Sequence, residues 1–143
     1  MSPLASLPYY LYYSLMTEST NTPQEVKSEA LQPEKIFATI DDFQKIEIRM
    51  GTVLSVAVVE GADKLYILQV DLGEEKPRQI LSGIREYVTD TELVGKQFPF
   101  VTNLAPRMLR GHESQGMILA GSDDTGLALL NPTKTLANGT RLR

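Results

Sequence analysis

The sequence predicts a mainly β fold, and three observations support this prediction. Between residues 46 and 130, runs rich in Val, Ile and Leu have the length of strands, and stretches containing Gly, Pro and Asp separate them. Within the second run, Tyr66, Leu68, Val70 and Leu72 alternate with other residues, so they share one face of a strand. Helix-capping signals occur only around short stretches.

The order of the predicted elements narrows the fold class. We expect β-strands at 46–59, 64–72, 78–82, 97–101 and 117–121, a short helix within 87–93, and a last strand at 127–130 that pairs back. Five short strands with a short helix between strands 3 and 4 are the element order of an OB-fold barrel, with small added terminal elements in this chain. That fold binds oligonucleotides or oligosaccharides on one face and the neighbouring loops.

Three local features add detail to this prediction. A helical turn at 39–43 has Thr39 or Asp41 as its cap and directs Phe43 inward. Gly51 predicts a bulge or a bend in the first strand. Pro99 predicts that the fourth strand lies at an edge of the sheet, because proline cannot donate a ladder hydrogen bond.

The first quarter of the chain lacks these patterns. Residues 1–16 are apolar but too short to span a bilayer, and they lack the charge and cleavage site of a signal peptide. They are interpreted as a disordered tail or a packing strand, or as an extension that precedes a true start at Met16. Residues 17–35 are polar and cannot bury enough apolar surface to fold. We therefore predict a disordered extension and linker over 1–35 and one folded domain over 36–143.

The composition excludes several classes of site. The chain has no cysteine and one histidine, so it has no disulfides, and neither a common zinc site nor any other cofactor is expected. The absence of cysteine and of export signals favours the cytoplasm. The formal net charge is −4, which argues against a surface that coats nucleic acid broadly. A polyanion site must therefore come from local clustering of basic residues.

The strongest cluster lies in the loop between the fourth and fifth strands. Arg107 and Arg110 are three residues apart, after a proline and before a glycine. Arginine binds phosphate or carboxylate with two hydrogen bonds at once, so both are candidate phosphate ligands. The alternative is that they are solvated or paired with Glu113.

Polar residues around these arginines are further candidates. Ser114 and Gln115 can bond a base edge or a ribose 2′-hydroxyl, or instead cap backbone amides of their own turn. Asn103 can bond a base or hold the loop closed. Tyr66 and Tyr87 are the candidate stacking residues, although Tyr66 shares its face with core residues.

A second group of candidates lies at the ends of the second and third strands. Lys64 and Arg78 are cations beside loops, where they either bind phosphate or protect a sheet edge from aggregation. Ser82 and Gly83 line the expected groove, and Ile84 either lies under a base or belongs to the core. Met117 is expected in the core, and three further cations are second-tier candidates, namely Lys45, Arg49 and Lys96.

Seven short motifs, in order, resemble the tRNA-binding domain family. They lie at 40–51, 61–65, 70–73, 78–84, 93–96, 103–107 and 113–117. That family includes free-standing tRNA-binding proteins, the carboxy-terminal domain or β subunit of methionyl-tRNA synthetase, the endothelial monocyte-activating polypeptide module and a bacterial secretion chaperone. The resemblance covers roughly residues 36 to 143. The sequence departs from the family pattern at two places. Residues 89–91 stand where a proline and acidic residues are usual, and Met108 stands where lysine is frequent.

The resemblance implies a homodimeric OB-fold that binds tRNA by shape. We therefore predict a non-catalytic tRNA-binding protein, with an aminoacyl-tRNA synthetase as a further possible partner and no membrane association. The alternative is a homodimeric peptide-binding secretion chaperone that uses Ile84 and Met117. An enzyme is not expected, because the sequence has no carboxylate pair, no nucleophile–base pair and no phosphate loop of the P-loop kind.

Overall fold

The computed structural model describes Glu34 and residues 36–143. The predicted linker and the alternative start at Met16 lie outside the described residues, apart from Glu34. The elements are α1 (Ile40–Gln44), β1 (Ile48–Val59), β2 (Ala62–Asp71), β3 (Arg78–Ser82), α2 (Asp90–Leu93), β4 (Gln97–Val101), β5 (Arg107–Leu109), β6 (His112–Ser114), β7 (Met117–Ile118), β8 (Ala120–Asp123) and β9 (Gly126–Leu129). The prediction of a mainly β fold is confirmed.

Strand β1 is the centre of the main sheet. The sheet has the order β3-β2-β1-β4-β7, and all its neighbours are antiparallel. β1 pairs with β4 from Ile48 to Thr52 and with β2 from Thr52 to Val59. Its register shifts at Leu54, between Val53 and Ser55, so the bulge predicted at Gly51 lies three residues later. β5 with β6 and β8 with β9 form separate two-stranded hairpins.

Gly51 has a packing role instead of forming a bulge. It is buried and pairs with Phe98 of β4. A Cβ atom at this position would lie 2.7 Å from side-chain carbons of Val70 and Leu72. Glycine therefore lets the β2 side chains close over the middle of β1, which any larger residue would prevent.

The core lies on one face of the sheet, as the alternation predicts. Tyr66, Leu68, Val70 and Leu72 are all buried, with at most 8% of their surface exposed. They share one cluster with eight further buried residues, which are Val53, Ile80, Ile84, Val88, Leu93, Phe98, Phe100 and Ile118. Ile84 therefore belongs to the core and cannot lie under a base.

The sheet is not closed into a barrel by strand pairing, which corrects the predicted five-stranded barrel. β3 and β7, at the two ends of the strand order, share no ladder. They are linked through the residues that precede β7. The Gln115 N–H donates to the Gln79 carbonyl (2.9 Å), and the Leu81 N–H donates to Ser114 Oγ (3.0 Å). Because β7 has only two residues, single bonds replace a continuous ladder at this seam.

Both short helices begin at a threonine cap. The Thr39 side chain accepts a hydrogen bond from the Asp42 N–H, and the Asp42 carboxylate accepts one from the Thr39 N–H. Glu92 accepts in the same way from the Thr89 N–H, and α2 begins at Asp90, within the predicted range of 87–93. The predicted inward direction of Phe43 is wrong, because 44% of its surface is exposed.

Strand β4 is an interior strand, so the edge position predicted from Pro99 is also wrong. It pairs with β1 on one side and with β7 on the other. The Pro99 carbonyl accepts from the Leu119 N–H, just beyond the end of β7. A proline N–H on this side would have returned that bond to Leu119, so its absence ends the ladder with β7 at Phe100 and Ile118.

The carboxy-terminal segment completes the side of β1 where the β2 ladder has ended. The Gly139 N–H donates to the Met50 carbonyl, and the Leu142 N–H donates to the Ile48 carbonyl. The Asn138 side chain bonds to both Thr52 and Asp71. Among the helices that the structure describes, none is long and apolar enough to span a bilayer.

Candidate nucleic-acid interface

The arginine-rich loop folds into a tight β-hairpin. Arg107 pairs with Ser114, and Leu109 pairs with His112, which leaves Arg110 and Gly111 as a two-residue turn. Both turn residues have positive φ angles, +50° at Arg110 and +82° at Gly111. This combination is that of a type I′ turn, whose twist matches antiparallel strands and whose first position favours Asn, Asp or Gly. An arginine therefore occupies a position that disfavours most side chains.

An apolar contact holds this hairpin against the sheet. Leu109 packs on a small cluster of Val59, Ala62 and Leu81, which is separate from the main core. By alternation along β3, Leu81 lies on the face opposite to Ile80 and the core. The hairpin is therefore attached to the outer face of β3 and to the β1–β2 turn.

A buried serine holds the base of the hairpin. Ser114 is 6% exposed, and its hydroxyl accepts from the Leu81 N–H and donates to the Gly116 carbonyl (3.1 Å). A Cβ atom at Gly116 would lie 2.9 Å from the Val101 carbonyl oxygen, so only glycine fits this crossing. Ser114 thus bonds backbone groups, as in the alternative to a base contact, but the amide that it accepts from belongs to β3 and not to its own turn.

Arg78 has partners within the fold. Its Nε and Nη2 atoms donate to the two carboxylate oxygens of Glu74, and Nη1 donates to the Thr102 and Gln115 carbonyls. These bonds tie the start of β3 to the end of β4 and to the base of the hairpin. The Gln115 side chain in turn donates to the Glu113 carboxylate (2.9 Å).

Asn103 fixes the other end of the arginine-rich segment. Its Oδ1 accepts from the Glu47 N–H (2.8 Å), and its Nδ2 donates to the Lys45 carbonyl (2.6 Å). The adjacent Thr102 hydroxyl donates to the Glu47 carboxylate, as does the Arg49 guanidinium. The Arg49 bond, followed by the Thr102 bond, lowers the pKa of Glu47 below its ordinary value of 4.5.

Arg107 and Arg110 are exposed and have no carboxylate within 4 Å in the part of the chain that the structure describes. Glu113, their suggested partner, faces Met108 across the hairpin and accepts from Gln115. The two guanidinium groups are therefore held on a rigid backbone with their charge uncompensated at short range. This arrangement suits a multivalent anion.

The remaining candidates lie at the outer end of β3. Lys64 is exposed, and its Nζ lies 4.0 Å from the Glu86 carboxylate, a weak contact in water. Ser82 is buried opposite Tyr66. Gly83 is exposed, and nothing lies within 4 Å of where its Cβ would be. The open space beside Gly83 is compatible with the close approach of a ligand.

Among the apolar candidates, Met117 is the one whose exposure differs from the prediction. Tyr66 is buried and Tyr87 is 58% exposed, so Tyr87 alone of the two presents its ring to solvent. Met117 was expected in the core but is 46% exposed, because it pairs with Val101 at the start of the short β7. Met108, which faces away from Leu109 on the hairpin, is 62% exposed.

A cleft of about 600 Å³ opens beside the hairpin. Its walls are the β2–β3 loop on one side and the segment before β5 on the other, with Pro77, Leu104, Pro106, Arg78 and Gln115 among its lining residues. Pro106 immediately precedes Arg107, so one wall of the cleft ends beside the start of β5. Glu74 and Glu75 also line it, and Glu74 is already paired with Arg78.

The sequence analysis missed one arginine near this site. Arg85 follows β3, and its Nη1 donates to the Ala62 carbonyl (3.3 Å), next to the cluster that holds Leu109. Its backbone N–H donates to the Lys64 carbonyl. Its position three residues beyond β3, near Lys64, could have indicated it.

This geometry defines a class of protein, namely a mainly β module that carries a cationic hairpin at the seam of its sheet. The comparisons then show the family. The family described as "Putative tRNA binding domain" matches residues 48–141, and the chain belongs to that family. The resemblance deduced from the seven motifs is confirmed.

Similar sequences include synthetases. The chain is 46% identical over 128 residues to methionine–tRNA ligase 1 of Bacillus cereus, covering 90% of this chain and 19% of the relative. It is 49% identical over 107 residues to methionine–tRNA ligase of Methanococcoides burtonii, covering 74% and 16%. The chain thus spans about a fifth of the length of the curated relatives that it matches.

Two solved structures share both the fold and the length of the described domain. A protein related to methionyl-tRNA synthetase from Pyrococcus horikoshii is 32% identical, with a TM-score of 0.71, and the match covers 76% of this chain and 99% of that one. The chaperone CsaA of Bacillus anthracis is 28% identical, with a TM-score of 0.68, and the match covers 76% and 100%.

Proposed function

We propose that this chain is a non-catalytic tRNA-binding module that holds the phosphate backbone of a folded RNA. Membership of the tRNA-binding domain family supports the class of ligand. The observation that carries the proposal is the pair Arg107 and Arg110, exposed on a rigid hairpin without a carboxylate partner in the described part of the chain. Residues 36–143 are the proposed binding unit.

The proposed contacts divide into two groups. Arg107 and Arg110 bind phosphate directly, and Lys64 adds a weaker contact. The other polar candidates position them: Ser114 fixes the hairpin on β3, and Arg78 joins the loop to the sheet. Phosphate contacts fix a protein on RNA without reading its sequence, so recognition depends on the shape of the RNA.

Stacking contributes little in this proposal. Of the two candidate tyrosines, only Tyr87 is exposed, and stacking on aromatic rings is the usual way in which OB-folds bind single strands. Gly83 lets a ribose or phosphate approach the end of β3. The expected preference is therefore for a folded tRNA over an unstructured strand of equal length.

The partners are proposed on the strength of the relatives. A homodimer would present two such hairpins to one RNA and would raise the overall affinity through multivalency. Because the chain matches about a fifth of each methionine–tRNA ligase, an accessory role beside that enzyme is also proposed. Co-purification of a synthetase with the native chain tests this role.

The test of RNA binding is the double substitution Arg107→Ala with Arg110→Ala. In gel retardation with bulk tRNA, the variant should lose binding, while Lys134→Ala with Arg143→Ala, which removes the same charge at exposed positions elsewhere, should retain most of it. The binding of the unchanged protein should also depend on salt. If about five phosphates are neutralised, affinity falls roughly a hundredfold between 50 and 200 mM salt. Equal binding by both double variants would overturn the proposal.

A second candidate function is peptide binding, as in the CsaA chaperone. The exposed methionines favour it, because flexible thioether side chains adapt to varied apolar partners. Ile84 no longer supports it, since that side chain is in the core. The substitutions Met108→Gln and Met117→Gln should weaken retention of an unfolded apolar peptide and leave tRNA retardation unchanged. If these methionine substitutions abolished tRNA binding and left peptide binding unaltered, peptide binding through the methionines would be overturned.

A further inference from the structure

The tip of the hairpin and Arg85 lie at the same end of β3. The Glu113 carbonyl accepts from the Gln79 side chain near the start of β3. Further along the hairpin, Leu109 packs on the cluster that contains Ala62 and Leu81. The hairpin thus runs towards the end of β3, and its turn at Arg110 follows Leu109 directly. Arg85 donates to the carbonyl of Ala62, so the two arginines flank one apolar cluster.

The Arg85 side chain is held in place without being neutralised. It is partly buried, and its Nη1 is fixed on the Ala62 carbonyl at 3.3 Å. Within the described residues, no carboxylate lies within 4 Å of its guanidinium group. A carbonyl bond occupies one of five N–H donors, so the others remain available to a ligand. A fixed arginine loses less side-chain entropy on binding than a mobile one.

The acidic residues nearby do not form salt bridges with the Arg85 guanidinium group. Glu86 follows Arg85 in the chain but faces Lys64. Glu60 and Asp63 flank the β1–β2 turn and are exposed. Within the described residues, neither of them forms a salt bridge with Arg85.

We propose that Arg85 is an additional phosphate ligand, which extends the binding strip from Arg107 and Arg110 across the outer end of β3. Gly83 lies two residues before Arg85, and nothing lies within 4 Å of where its Cβ would be, so the ribose that joins two phosphates is placed in this open space. The ligand class is a phosphodiester of the same RNA strand. This inference rests on the proposed function, and it adds a contact that lies outside the arginine-rich loop.

The test compares Arg85→Gln with Lys134→Gln in the full chain, using bulk tRNA as the probe. Both variants lower the net charge by one, but only the first removes the proposed ligand, and glutamine keeps an amide donor near Ala62. Arg85→Gln should reduce the slope of log affinity against log salt by about 0.7. Relative to the unchanged protein, this reduction in slope corresponds to a roughly eightfold loss of affinity at 50 mM salt. Arg85→Lys should retain most of the slope.

The outcomes separate this inference from the proposed function. If neither the unchanged protein nor its variants bind tRNA with a salt dependence, the proposed function fails. If Arg107→Ala with Arg110→Ala abolishes binding while Arg85→Gln matches Lys134→Gln, only the role of Arg85 is overturned. A thermal melt of each variant that matches the melt of the unchanged protein excludes misfolding as the cause of a loss of binding. If Arg85→Gln had a lowered melting temperature but bound tRNA fully, the role of Arg85 as a ligand would also be overturned.

Discussion

Among the single residues that matter most, the arginines divide into two groups by their partners. Some are held within the fold by a carboxylate or carbonyl partner, whereas those at the hairpin are exposed. An exposed ion pair contributes little to stability, so an unpaired arginine costs the fold almost nothing. Arg49 and Arg78 have a carboxylate partner, and Arg85 has a carbonyl partner. Arg107 and Arg110 have no carboxylate within 4 Å in the described part of the chain.

Arg110 also occupies a strained backbone position, which gives a prediction at this scale. Its φ of +50° costs a side chain about 1 kcal/mol relative to glycine. We expect Arg110→Gly to leave the free energy of unfolding unchanged or slightly higher and to weaken tRNA binding. Urea denaturation and a binding titration on the same sample measure both.

Gly111→Ala is the matched control for this substitution. It places a Cβ at a φ of +82°, so it should lower the free energy of unfolding while Arg110 is retained. If Arg110→Gly destabilised the domain as much as Gly111→Ala does, the strain argument would be wrong. If it bound tRNA as well as the unchanged protein, Arg110 would not be a ligand.

Among the elements, the β5–β6 hairpin is the part that binding depends on. Two residues form its turn, one apolar side chain attaches it to β3, and one serine fixes its base. It belongs to no other sheet, so its position depends on these few contacts. Rigid presentation reduces the entropy lost when the ligand binds.

Ser114→Ala tests the attachment of this element. The substitution leaves the Leu81 N–H without its acceptor at a buried site, which costs about 1 to 3 kcal/mol of unfolding free energy. Urea denaturation measures this loss, and faster hydrogen exchange of the Leu81 amide locates it. Ser122→Ala, at an exposed position in β8, should change stability by less than about 0.5 kcal/mol. Equal effects of the two substitutions would contradict the role given to Ser114.

Across the whole molecule, the chain is acidic, yet in the part that the structure describes no carboxylate lies within 4 Å of the hairpin arginines. The net charge is −4, yet several carboxylates accept hydrogen bonds that stabilise their ionised form. Their pKa values are lowered by the Lys45 side chain at Asp42, by Arg49 at Glu47, by the Thr89 backbone at Glu92 and by the Thr125 side chain at Asp123. None of them pairs with a hairpin arginine.

These lowered pKa values predict how the stability of the whole domain depends on pH. A carboxyl whose pKa is lower in the folded state binds fewer protons there than in the unfolded chain. Its contribution is complete above the unfolded value, which is 4.5 for Glu47, and is lost as the pH falls through the lowered folded value. The free energy of unfolding should therefore fall when the pH is taken from 7 to 3.

Glu47→Gln isolates one part of this dependence. The variant cannot lose the Glu47 contribution, so its unfolding free energy should change less between pH 7 and pH 3 than that of the unchanged protein. Glu75→Gln is the control, since the Glu75 carboxylate accepts no hydrogen bond among the described residues. Urea denaturation at both pH values measures the difference. A Glu47→Gln profile parallel to that of the unchanged protein would count against the contact with Arg49.

The sequence by itself determined the features that depend on neighbouring residues. A period of two placed Tyr66, Leu68 and Val70 in the core, because alternate residues of a strand point to one side. Thr39 was one of two cap candidates, with Asp41, because caps are recognised by residue type beside a helical turn, and the Thr39 side chain accepts from the Asp42 N–H. The seven motifs indicated the family, since the order of short motifs can be read from the sequence without knowledge of the fold.

Only the tertiary structure decided which polar side chains have partners. Ser114 bonds a residue 33 positions away, and Asn103 bonds one 56 positions away, so no local pattern could distinguish these contacts from ligand binding. The open seam between β3 and β7 likewise depends on where β7 ends. The exposure of Met117 and the position of Arg85 depend on how distant strands meet, because burial is a property of the packed chain and not of the residue type.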